Sequence, residues 1–207
     1  MKAVLLARHG QSVSNAIRRF QGVQDVPLSE LGLRQAQALS AAVSGRRLAH
    51  VYASPLQRAR RTAEIAMAGR DVPLSVVDDL RELSLGDWEG RAIEEIRALP
   101  GDPYAQWVRD PVAFTPPGAE PLETVQSRVL RALAEIAAAH PNGDDVLVVA
   151  HGGVISVYAC HVLGCSFNTL WRLRIDNGSL TVVEPPALVT LNDTAHLDSR
   201  TRSGHAP

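Results

Sequence analysis

Two apolar runs in this chain end in the same way. Val4-Leu5-Leu6-Ala7 runs into Arg8-His9-Gly10, and Val146-Leu147-Val148-Val149-Ala150 runs into His151-Gly152-Gly153. A short run that is apolar on both faces reads as a strand buried in a parallel sheet. Open α/β sheets carry their ligand sites at the carboxyl ends of such strands. Adjacent parallel strands would therefore bring His9 and His151 to one edge. Either histidine alone could be a turn residue satisfied by backbone. The repeated pattern, with the cation of Arg8 attached, favours a site. Gly10 suits a tight turn, Gln11 to Asn15 can open a helical segment, and backbone N–H groups at such a turn favour an anion. The first dozen residues read as half of a phosphate pocket with a nucleophile in it.

The remaining pattern alternates strands and helices. Leu28-Ser29-Glu30 opens a helix, with Ser29 as its N-cap, Glu30 in the first turn and a Leu28–Leu33 staple; it ends near Gly45. His50 to Ala53 is a strand ending at Ser54-Pro55, and Leu56 to Met67 is a helix with a small apolar face. Of Arg58, Arg60 and Arg61, Arg58 lies in the first turn after a strand end, where a side chain and a helix N-terminus can converge on one phosphate. Leu74 to Val77 is a further strand, followed by a charged loop at 78–82. Gly86 and Gly90 bracket a bent loop in which Trp88 packs as an anchor. Ala92 to Leu99 reads as a helix, and the proline-rich stretch 100–121, with Tyr104, Trp107 and Phe114, as a loop-rich cap. Leu122, Val125, Val129, Leu133 and Ile136 step at helical spacing, and Val154 to Leu163 reads as a buried helix. Asn168 to Ile175 and Leu180 to Val183 read as strands joined by an Asp176-Asn177-Gly178 hairpin. Leu188 to Leu191 can add a last strand.

Composition bounds the function. The 207 residues, 45% of them hydrophobic, suit one globular core. We expect a single domain over 1–197, with a lid at about 91–121 and a polar tail at 198–207. The net charge of −1 argues against a nucleic-acid binder, so any anion site is local. Lys2 precedes only five apolar residues, too few for a signal-peptide core, and no apolar run approaches a membrane span. The expectation is a cytoplasmic protein with no membrane partner. Cys160 and Cys165 sit in apolar context and read as packing thiols. The oligomeric state is open, a homodimer included.

Five segments together carry a family resemblance. They are Arg8-His9-Gly10-Gln11-Ser12-x-x-Asn15, Asp25-x-Pro27-Leu28-Ser29-x-x-Gly32, Ser54-Pro55-Leu56-x-Arg58-Ala59-x-x-Thr62-Ala63, Arg81-Glu82-x-x-x-Gly86-x-Trp88-Glu89-Gly90 and Val149-Ala150-His151-Gly152-Gly153. In this order they resemble the histidine phosphatase superfamily, the branch that includes the cofactor-dependent phosphoglycerate mutases. The resemblance implies a three-layer α/β fold: an open, mostly parallel sheet with helices on both faces. It implies a metal-independent phosphomonoester hydrolase acting on a small phosphorylated metabolite, with no cofactor. The catalytic set it implies is His9 as nucleophile, Glu82 as proton donor, and Arg8, Arg58 and His151 around the phosphoryl group. The substrate-binding set is Arg8, Asn15, Gln21, Gly22, Arg58, Glu82, His151 and Gly152.

Phosphoryl transfer needs positioning and charge stabilisation above all, and these residues supply both. Within the family, a mutase would be expected to cluster cations on its lid. Residues 100–121 hold one, Arg109, which favours hydrolysis with phosphoglycerate mutase as the alternative. Two other classes stay open. A metal-dependent hydrolase could use His9, His151 and Glu82 as ligands, although Arg8 and Arg58 would be poor neighbours for a cation. A non-catalytic phosphate-ester-binding protein could share the fold, although it would be expected to lack part of the set.

Overall fold

The computed structural model describes residues 1–198 and 201. The polar tail expected over 198–207 therefore lies outside the described residues, apart from Asp198 and Thr201. The chain builds β1 (Ala3–Arg8), α1 (Val13–Ala16), α2 (Glu30–Val43), β2 (Leu48–Ala53), α3 (Gln57–Ala66), β3 (Leu74–Val76), α4 (Ile93–Arg97) and α5 (Pro103–Arg109). It continues with α6 (Leu122–Ala139), β4 (Asp145–Ala150), α7 (Gly152–Leu163), β5 (Leu180–Glu184) and β6 (Ala187–Asp193).

The strands form one sheet in the order β3-β2-β4-β1-β5-β6. The first four are parallel, and β5 and β6 extend the sheet in antiparallel fashion. Alternation along β1 explains the layering. Val4 and Leu6 face a cluster with Val125, Val129 and Leu133 of α6 and Val154 and Val157 of α7. Ala3, Leu5 and Ala7 face the other side, with Leu39 and Val43 of α2 and Ala59 and Ala63 of α3. Because both faces are covered, β4 is buried along its whole length, and its run Val146–Ala150 is uniformly apolar for that reason.

β1 and β4 are neighbours, in register from Ala3↔Asp145 to Arg8↔Ala150. The ladder continues one step further, with the His9 N–H donating to the Ala150 carbonyl at 3.0 Å. Both His-Gly ends thus leave the sheet side by side.

Three expectations change. Residues Asn168 to Ile175 are not a strand: Phe167–Arg172 winds as a 3₁₀ helix capped by Ser166, and it buries Leu170 in the core. The Asp176-Asn177-Gly178 turn does not join two strands. It feeds β5, and the Gly178 N–H donates to the carbonyls of Arg8 (3.1 Å) and His9 (3.2 Å). The hairpin is made instead by β5 and β6 around Pro185-Pro186. Finally, the proline-rich stretch contains α5. Asp102 caps it by accepting from the Ala105 N–H, and Pro103 occupies the first turn, where its missing N–H costs nothing. A proline breaks a helix in its interior and not in its first turn, so proline density alone does not exclude one.

A third cluster holds this region together. Phe20, Leu85, Trp88, Ile96 and Trp107 are buried against one another, with Tyr104, Phe114 and Trp171 packed on them. Trp88 is 2% exposed, as an anchor should be.

Gly10 serves close approach and not an unusual dihedral. A Cβ there would overlap the Gly32 carbonyl oxygen and stand 2.9 Å from Gly32 Cα. The first turn of α2 is thereby pressed onto the loop after β1. Gly10→Ala is expected to lower stability by about 1–3 kcal/mol, read as a lower denaturant midpoint; an unchanged midpoint would show that the two backbones can part at no cost.

Candidate active site

The site forms where β1 and β4 end and where α3 and α7 begin. His9 and His151 are 2% and 0% exposed, and their ring centroids lie 5.0 Å apart in an edge-on arrangement. His9 Nδ1 contacts the Gly10 carbonyl at 2.6 Å. A carbonyl can only accept, so Nδ1 carries the proton and the neutral ring keeps its lone pair on Nε2. His151 Nε2 lies 2.7 Å from Ser54 Oγ. That hydroxyl also accepts from the Leu56 N–H at 3.3 Å, and where it gives its own proton to His151 Nε2 the ring's proton stands on Nδ1.

Two guanidinium groups share this space. Arg58 stands at 1% exposure in the first turn of α3 and donates to the carbonyls of Gly22 (2.8 Å) and Gln24 (2.7 Å). Arg8 donates to the Ile175 carbonyl at 2.5 Å. Among the described residues, Arg8 Nε, Arg58 Nε and His151 Nδ1 are buried without hydrogen-bond partners. Buried polar groups are seldom left so, and three together describe a place built for an acceptor. Glu82 closes the site, its Oε1 accepting from the Leu83 N–H at 3.0 Å and its Oε2 from the Gly153 N–H at 3.3 Å.

The electrostatics follow from this crowding. Burial, then the charges of Arg58 and Arg8, hold His9 well below the usual histidine range despite its bond to Gly10. Burial, then Arg58, His9 and Arg8, do the same to His151. Burial pulls Arg58 down to about 10, with Glu82 and Asp25 opposing it. Arg8 is lowered by burial, with Glu82 and Asp176 opposing. The pocket is positive but its imidazoles are neutral. That field suits an anion and repels a divalent cation.

The other residues expected in the site lie close by in supporting positions. Asn15 spends its Oδ1 on the Ser12 N–H (3.1 Å) and Asn177 Nδ2 (3.2 Å). Gln21 accepts from the Ser12 hydroxyl at 2.6 Å. Gly22 offers its carbonyl to Arg58, and a Cβ on it would overlap Glu89 Oε1. Gly152 opens α7 beside Arg8, its Cβ position 3.5 Å from Arg8 Nε. Arg60 and Arg61, unlike Arg58, are exposed. Arg18 and Arg19 cover the outside, pairing with Glu94 at 2.8 Å and the Gly90 carbonyl at 2.6 Å.

Three supporting residues carry no role in the sequence reading. Ser54 orients His151. Thr62 accepts the Gly10 N–H at 3.1 Å. Asn177 donates to the His9 carbonyl at 3.2 Å. Ser54 and Thr62 stand in the Arg58 segment, so their proximity to that arginine was the available signal.

The family model of the histidine phosphatase superfamily (branch 1) matches residues 4–190. The chain belongs to the histidine phosphatase superfamily. It is 33% identical to phosphoserine phosphatase 1 of Hydrogenobacter thermophilus, over 95% of each chain. It is 30% identical to the adenosylcobalamin/alpha-ribazole phosphatase of Salmonella typhimurium, over 86% of this chain and 88% of that one. Among solved structures, YhfR of Bacillus stearothermophilus superposes with a TM-score of 0.87 at 33% identity, over 94% of this chain and 98% of that one. The chain is a phosphatase of this superfamily, with the mostly parallel sheet and antiparallel edge found above.

Two neutral buried histidines make stability depend on pH. Their folded-state values are depressed, so below the ordinary histidine value of about 6.5 the unfolded chain binds more protons than the folded one. Stability is fully present above that value and falls as the pH drops below it, by about 1.4 kcal/mol per pH unit for each ring that stays neutral. Urea unfolding at pH 7.5, 6.5 and 5.5 should show this decline, with a shallower slope in His9→Asn. Parallel slopes would contradict it.

Proposed function

We propose that this phosphatase hydrolyses small phosphomonoesters through a phosphohistidine on His9. The observation that carries the reading is the set of unpartnered buried nitrogens, Arg8 Nε, Arg58 Nε and His151 Nδ1, gathered around a neutral His9. His9 Nε2 attacks phosphorus with its lone pair. Arg8, Arg58 and His151 take the charge that spreads over the phosphoryl oxygens. The P–O bond to the leaving group breaks, and the departing alkoxide takes a proton from Glu82. Water then attacks the phosphohistidine, giving its proton to Glu82, and the P–N bond breaks. His9 returns neutral and inorganic phosphate leaves. The cycle balances without a metal or a second substrate.

The substrate class is read from the composition of the lid. Residues 100–121 hold Tyr104, Trp107 and Phe114 and a single cation, Arg109. This favours a small metabolite with a neutral or apolar leaving group, and water as phosphoryl acceptor. Of its named relatives, the alpha-ribazole phosphatase fits a leaving group of that kind, whereas serine, the leaving group of phosphoserine, carries an ammonium and a carboxylate and does not.

Hydrolysis of p-nitrophenyl phosphate in EDTA tests the reading. Wild-type activity should survive the chelator, and His9→Ala should lose on the order of 10³-fold or more in kcat. Comparable activity in His9→Ala would remove His9 as the nucleophile. Wild-type activity abolished by EDTA and restored by metal would replace the mechanism.

A further inference from the structure

Glu82 lies on a stretch without regular secondary structure, between a 3₁₀ turn at Asp78–Leu80 and another at Gly86–Trp88. A proton donor on such a stretch needs something to fix it. One side chain does most of that. Arg128 of α6 is 3% exposed, and its guanidinium donates to the carbonyls of Asp79 (2.8 Å), Arg81 (2.7 Å) and Glu82 (3.1 Å). Its other two bonds, both 2.8 Å, reach the two carboxylate oxygens of Glu120. All five bonds come from one planar group, the geometry that arginine and not lysine provides. Glu120 is in turn tied to the same stretch: its own N–H donates to the Ser84 carbonyl at 3.2 Å, and its carboxylate meets Arg81 at 3.4 Å. Burial alone would raise the Glu120 carboxyl. The hydrogen bond and charge of Arg128, with the charge of Arg81, overcome it and hold the group below the usual carboxylate range, so the pair stays ionic.

We infer that Arg128, held by Glu120, is the positioning residue that fixes the Glu82 carboxyl at the leaving-group side of the site. This rests on the reading of Glu82 as proton donor. The carbonyl bonds fix the backbone at 79–82 from the α6 side, while the Leu83 and Gly153 N–H groups fix the carboxylate from the other. Among the described residues Arg128 has no bond to His9, Arg8, Arg58 or His151; its charge does reach His151, and Arg128→Lys keeps that charge, so the test isolates the positioning of Glu82.

The test uses two aryl esters of similar shape. Phenyl phosphate needs a proton for its leaving group, whereas 2,4-dinitrophenyl phosphate scarcely does. The quantity is kcat/KM, which reports only the steps up to phosphohistidine formation. Arg128→Lys keeps the charge and loses the fork. It should lower kcat/KM for phenyl phosphate by about tenfold or more and for 2,4-dinitrophenyl phosphate by less than about threefold. Inhibition by inorganic phosphate should be unchanged. A merely structural role would lower both esters alike. Glu82→Gln, assayed beside it, separates the two failures. If Glu82→Gln discriminates between the esters and Arg128→Lys lowers both equally or neither, the positioning role is overturned and the donor stands. If Glu82→Gln does not discriminate, the donor reading falls and the positioning role falls with it. Should Arg128→Lys not fold, Glu120→Gln carries the same comparison, with the same selective loss expected at smaller size and an equal loss on both esters overturning the role.

Discussion

Parallel pairing of β1 with β4 is the constraint on which the site depends. Two segments separated by most of the chain are brought edge to edge by the Arg8↔Ala150 register, so the residues following each strand must share a small volume. The histidines meet because they are the next residue on both strands. A slip of one residue would turn the strand faces over and part the rings. Both faces of β4 are apolar, so burial alone does not set the register; close packing does, with Val146, Val148 and Ala150 fitted into one cluster and Leu147 and Val149 into the other. The helices on either side therefore do more than protect the sheet: they lock the register that makes the site.

The charge in the pocket is costly and is held by backbone. Desolvation works against both Arg8 and Arg58, and a buried cation persists only with close hydrogen-bond partners. Gly22, Gln24 and Ile175 provide them through carbonyl oxygens, which stabilise the guanidinium without neutralising it. A salt-bridged arginine would have little attraction left for a phosphate. Here each guanidinium keeps its Nε without a partner among the described residues, and burial, aided by the same positive field that favours an anion, keeps His9 unprotonated. One arrangement thus supplies both the binding charge and the free lone pair.

Much of this is legible in the sequence because it is local. Apolar runs, a His-Gly break, and an arginine in the first turn of a helix each reflect physics acting over a few residues. The parts that were not legible are polar residues whose partners are distant. Asn177 reads as a hairpin turn because Asn-Gly usually is one, yet its partner is His9, 168 positions away. Thr62 meets Gly10 across 52 positions, and Arg128 meets the 79–82 backbone across 46 to 49. On its helix, Arg128 lies three positions after Val125 and four before Ala132, at the edge of the apolar face, where an arginine usually turns its charge to solvent. Only the packing of α6 against the 3₁₀ turn at 78–80 buries it. The 3₁₀ segment at Phe167–Arg172 escapes the pattern for a similar reason, its one fully buried residue, Leu170, being too little for a period.

The two halves of the site are rigid in different ways. The phosphate half stands on strand ends and helix starts, where the sheet itself sets positions. The Glu82 half has no such frame, and takes its order from an aromatic cluster on one side and charged anchors on the other. Glu89 is one of these anchors, its Oε1 accepting from the N–H groups of Val23 (3.1 Å) and Leu85 (2.9 Å). It joins the loop that supplies carbonyls to Arg58 with the loop that carries Glu82. The two halves are therefore coupled through buried polar bonds and not only through a bound ester. A fold organised in this way can carry changes in residues 91–121 while the half built on strand ends, fixed by the β1–β4 register, stays the same.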